Sequence, residues 1–122
     1  MKSVFDDSKP IFQQLAETIA DDIVDGHLKE GDQVPSTTEL SQFYQINRAT
    51  AQKGLGLLVD KELVYKQRGV GMFVAKGAKA LLLKERQADF YKQYVLPMLD
   101  EARRIHLNEE DILRLIRGEN HD

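Results

Sequence analysis

Apolar residues return at helical spacing near the start of the chain. Ile11, Leu15, Ile19 and Ile23 form one stripe, preceded by a helix-start signal at Ser8-Lys9-Pro10 and followed by the stop signal Gly26. Leu28 to Pro35 reads as a turn-rich connection. Ser36 then opens a short second helix, with Glu39 at capping-box spacing and Leu40 and Phe43 on its apolar side. Gln45-Ile46 makes a tight turn, and Asn47 is the N-cap of a third helix. That helix runs to about Lys61, with Ala51, Leu55 and Leu58 facing inward. Leu63-Val64-Tyr65-Lys66 and Met72-Phe73-Val74 are β-prone runs flanking the turn Gln67-Arg68-Gly69-Val70-Gly71, which predicts a hairpin. From Ala78 the helical period resumes, with Leu83, Phe90, Tyr94 and Met98 on one face. Pro97 inside this stretch is expected to kink or split it. Asn108-Glu109-Glu110-Asp111 caps a last helix, whose apolar side is Ile112, Leu115 and Ile116.

The expected fold is mainly α with a small β-hairpin. Residues 1–75 form a winged helix-turn-helix, and residues 76–122 form a helical dimerisation tail. The chain has 122 residues, the size of about one domain. No apolar run approaches the roughly 18 residues of a membrane span, so no membrane partner is expected. Asp6 and Asp7 stand where a signal peptide would begin its apolar core, and cysteine is absent. Both features point to the cytoplasm, and the second excludes a disulfide scaffold and a thiolate metal site.

Net charge is −3, and its distribution says more than its sum. Residues 1–44 carry 3 Lys and Arg against 9 Asp and Glu. Residues 45–92 carry 10 against 4, and residues 93–122 carry 4 against 7. A cationic block inside an acidic chain suits either a polyanionic partner or a solvated face.

The third helix has the diameter to enter a major groove and offers Arg48, Ala49, Gln52 and Lys53 at its start, opposite the inward residues. Arg48 would read a base edge. Its alternative is a surface ion pair with Asp60 or Glu62. Thr37, Thr38, Asn47 and Thr50 are placed to touch phosphates, though Asn47 can serve purely as a cap. Lys66 and Arg68 would carry the hairpin to the DNA backbone or minor groove. Leu83, Phe90, Tyr94 and Met98 form an uncovered stripe that predicts a homodimer. Phe90, Tyr91 and Tyr94 are candidates for a small-molecule effector site, with dimer core as the plainer alternative. His27, His106 and His121 are too scattered for a metal site, and no cofactor is expected. No nucleophile with a base and no nucleotide loop is present, so an enzyme is not expected. The rival to DNA binding is a winged-helix module that binds protein instead.

Three segments carry a family resemblance. Leu28-Lys29-Glu30-Gly31-Asp32-Gln33-Val34-Pro35-Ser36 resembles the entry motif of the GntR family of bacterial transcription regulators. Asn47-Arg48-Ala49-Thr50 is similar to that family's recognition-helix start, and Arg68-Gly69-Val70-Gly71-Met72-Phe73-Val74 to its wing. The resemblance implies palindromic operator DNA as partner and contacts from Ser36 through Thr38, from the third helix and from Gly69. The tail, from Phe90 to Ile112, resembles the short two-helix tail of the YtrA branch. That implies a homodimer joined through C-terminal helices and, in most cases, a repressor of a transporter operon. The chain departs from the family at three positions, with Thr38 and Gln52 where arginine is common and Glu62 where glycine usually ends the third helix.

Overall fold

The computed structural model describes residues 5–119, so His121 lies outside them. Helix α1 (Ile11–Val24) follows Pro10, and its buried face is Leu15, Ile19 and Ile23. Each such burial stabilises the fold by about 1.5–3 kcal/mol. Ile11, expected in the same stripe, is exposed because it stands at the first helical position, a full turn before the core begins.

Helix α2 (Thr37–Tyr44) has the expected capping box. Ser36 Oγ accepts from the Glu39 N–H, and Glu39 Oε1 accepts from the Ser36 N–H at 2.8 Å. The inward residues are Leu40 and Tyr44. Phe43, expected on the apolar side, is 63% exposed and meets Tyr44 edge-on at 4.9 Å. Four residues after Leu40, not three, the helix returns to its buried line, and Tyr44 takes that place.

Helix α3 (Arg48–Asp60) buries Ala51, Leu55 and Leu58, as its period predicts. It ends with the Leu63 N–H on the Leu58 carbonyl and the Glu62 N–H on the Val59 carbonyl, the paired bonds of a Schellman cap. Glu62 occupies the left-handed position of that cap at φ +62°. Glutamate thus adopts a helix-end geometry that ordinarily favours glycine.

The hairpin is β2 (Val64–Gln67) against β3 (Gly71–Val74), and a third strand joins it. β1 (Gln33–Val34) pairs antiparallel with β3, matching Gln33 with Phe73 and Val34 with Met72, so the sheet order is β1-β3-β2. The segment that reads as a turn-rich connection therefore contains a strand. Two residues are too few for alternation to show.

Contacts divide the chain into compact units of residues 1–84 and 85–122. Helix α4 (Ala78–Phe90) contributes Ala78 and Leu82 to the core of the first unit. That places its opening turns with the winged helix-turn-helix, whereas residue 75 closes that domain in the sequence reading. Leu83 is exposed beside buried Leu82.

In the second unit a π-helical turn spans Tyr91–Val95, and α5 (Leu96–Arg104) follows. Pro97 lacks an N–H and crowds the carbonyl four residues back, so the ladder widens just before it. The expected interruption is thus a π turn. The α-helical count that put Phe90, Tyr94 and Met98 on one face does not run through it unchanged. Phe90 and Tyr94 still meet, ring centroids 5.4 Å apart. Helix α6 (Glu109–Ile116) begins at an Asn108–Asp111 capping box. Its Ile112 is buried, while Leu115 and Ile116 of the expected apolar side are exposed, Ile116 at 69%. No helix among the described residues is long and apolar enough to cross a membrane.

Candidate nucleic-acid interface

Two helix starts and one hairpin tip present the predicted contact residues, all within the first unit. At the start of α2, Ser36 and Thr38 are exposed and Thr37 is half-buried. The Ser36 hydroxyl is already engaged in the capping box. At the start of α3, Asn47 Oδ1 accepts from the Thr50 N–H at 2.7 Å, so Asn47 has the cap role. Both termini retain further N–H groups that can meet a phosphate.

Arg48, Ala49 and Gln52 are exposed on the first two turns of α3, while Thr50 is half-buried. Among the described residues, Arg48 has no ion-pair partner, so the alternative pairing with Asp60 or Glu62 is not made. Lys53 is exposed too, but its Nζ lies 4.4 Å from the centroid of the Phe12 ring of α1. Its charge is held toward α1 by a contact that sequence spacing does not reveal.

Gly54, one residue further, faces α1 directly. Gly56 has open space around it, and nothing in the structure explains a glycine there.

At the hairpin tip the Val70 N–H donates to the Gln67 carbonyl at 2.9 Å, closing a turn over Arg68 and Gly69. Gly69 has φ +78°, the left-handed backbone that the third position of such a turn requires. Lys66, Arg68 and Gly69 are all exposed. Lys66 and Arg68 have no ion-pair partner among the described residues.

Three helices, two of them opened by side-chain caps, and a thin three-strand sheet that ends in a cationic hairpin are the parts of a winged helix-turn-helix. Residues 11–74 match the family model of bacterial regulatory proteins, gntR family. The chain belongs to the GntR family.

Among GntR relatives, the uncharacterised HTH-type transcriptional regulator YhcF of Bacillus subtilis is 27% identical over 117 residues, covering 96% of this chain and 95% of YhcF. A GntR family transcriptional regulator from Listeria monocytogenes aligns with a TM-score of 0.72 and 29% identity, over 93% of this chain and 98% of that one. The DNA-binding domain of AraR, solved in complex with operator ORX1, aligns with a TM-score of 0.57 and 30% identity, over 62% of this chain and 96% of that one. Other curated GntR relatives are longer, and the chain spans 28% of the length of two named repressors among them. The GntR match therefore lies within the first unit, and residues after 74 lie beyond it.

Proposed function

We propose that this protein is a homodimeric, sequence-specific operator-binding regulator that represses a transporter operon, in the short-tailed YtrA-like branch. The observation that carries the reading is the start of α3. Arg48 and Gln52 are exposed on consecutive turns, with Arg48 in no competing ion pair among the described residues. An arginine at the start of a recognition helix reaches guanine in the major groove through two parallel hydrogen bonds, and a glutamine reaches adenine. Each such pairing discriminates its base by about 1–3 kcal/mol. Lys66 and Arg68 on the wing, with Thr37, Thr38 and Thr50 at the helix starts, add contacts to the phosphate backbone that fix position but carry no sequence information.

Dimerisation is supported by the tail. The second unit buries Ala102 and Ile112, yet exposes Phe90, Tyr91, Tyr94, Met98, Ile105 and Ile116. A unit with so little interior gains stability by covering that surface with a second copy. A two-fold dimer then sets two recognition helices about 34 Å apart, one turn of DNA. Control by a small molecule bound near Phe90, Tyr91 or Tyr94 would work by favouring one dimer geometry over another. Titrating candidate transporter substrates against the protein–operator complex tests this part; no change in affinity with an intact dimer rejects it.

Selection of duplexes from a random-sequence pool by the full-length protein tests the core of the reading. The expected product is a palindrome with half-site centres about 10 base pairs apart. Failure to enrich any sequence over the pool rejects it.

A further inference from the structure

The function just proposed relies on the hairpin tip holding Arg68 in place, and a three-residue loop at the end of a thin sheet has little packing to do so. Gln33 supplies the missing constraint. It lies on β1, an edge strand of the sheet, with its Cα paired to Phe73 of β3. From there its side chain runs toward the tip, and its Nε2 donates to the Val70 carbonyl at 3.2 Å. Val70 is thereby held on both sides, its N–H by the Gln67 carbonyl and its C=O by Gln33.

Gly71 gives an independent sign of the same arrangement. Its φ is +145°, a conformation that L side chains rarely adopt, and a Cβ there would fall 2.5 Å from Gln33 Nε2. The space above Gly71 is thus taken by the Gln33 amide. Only glycine leaves room for the side chain to cross the strand and reach Val70. Gln33 and Gly71 are 38 positions apart in sequence, so the pair ties the segment before α2 to the tip of the wing.

We infer that Gln33 is the positioning residue of the wing: its amide clamps the tip through Val70, over Gly71, and so presents Arg68 to the DNA backbone. This inference rests on the proposed function for its DNA role, but the clamp itself is a property of the free protein. Glutamine suits the task because it combines the reach of a long side chain with a neutral donor at its end. Methionine has similar length and no donor.

Two readouts on Gln33→Met test the inference, with the full chain and a duplex enriched by the wild-type protein from a random pool. In free protein, amide exchange at Val70 is expected to speed up about fivefold, the equilibrium equivalent of one net hydrogen bond. On DNA, Gln33→Met is expected to weaken binding by a similar factor, and to have no effect when Arg68→Ala is already present. Gly71→Ala is expected to reproduce both effects. Unchanged exchange at Val70 overturns the clamp. Equal losses with and without Arg68 overturn its link to that contact. If the wild-type chain enriches no duplex, the proposed function fails and the DNA role with it, while the exchange result still decides whether Gln33 holds the tip.

Discussion

Gly54 of α3 lies so close to Leu15 of α1 that a Cβ built on it would sit 3.0 Å from Leu15 Cδ2 and 3.1 Å from the Phe12 carbonyl oxygen. Leu15 is fully buried, and the second neighbour is backbone, so neither can yield cheaply. The helix that carries Arg48 is seated on α1 through this contact.

Gly54→Ala should therefore destabilise the domain. Alanine gains about 1 kcal/mol in helix propensity, and overpacking a close helix contact costs about 1–3 kcal/mol. Gly56→Ala, with nothing within 4 Å of its Cβ, should raise stability by about 1 kcal/mol. Thermal denaturation of the two variants separates them, and a rise in Tm for Gly54→Ala would contradict the packing argument.

Glu62 stands in a backbone conformation that favours glycine. Its φ of +62° costs an L-residue about 1–2 kcal/mol, and glycine escapes that cost while losing more entropy on folding. The balance predicts that Glu62→Gly stabilises by about 0.5–1 kcal/mol, visible as a Tm increase of a few degrees. A lower Tm would mean that the Glu62 side chain contributes more than its backbone costs.

Much of the first unit was legible in the sequence because its signals are local. The Ser36–Glu39 box, the Asn47 cap and the Ala51, Leu55 and Leu58 line each declare themselves within one or two turns. What escaped depends on contacts between distant segments. β1 is two residues long and exists through its pairing with β3. The Lys53–Phe12 and Gln33–Val70 contacts join α3 to α1 and β1 to the hairpin tip, with no periodic trace in either partner. Phe43 was misplaced because Tyr44, with its hydroxyl, reads as a less apolar candidate for the core. In the tail, Pro97 announced an interruption but not its form. A π turn shifts every residue after it, so Met98 could not be placed by counting.

Assembly follows from the exposed tail surface. Sedimentation of the full chain at micromolar concentration is expected to give a dimer, and Phe90→Asp is expected to shift it toward monomer while the melting of the winged-helix unit stays unchanged. A wild-type monomer would remove the two-fold geometry on which operator spacing depends.

The central claim is that α3 reads bases while the wing holds the backbone. Affinities of Arg48→Ala and Lys66→Ala for the selected duplex, and for the same duplex changed one base pair at a time, measured over a range of salt concentrations, test it most directly. Arg48→Ala should lose about 1–3 kcal/mol and relax preference at one base pair in each half-site. Lys66→Ala should weaken all duplexes alike and lower the salt slope by about one. Uniform loss across all sequences for both variants would contradict the assignment of base reading to Arg48.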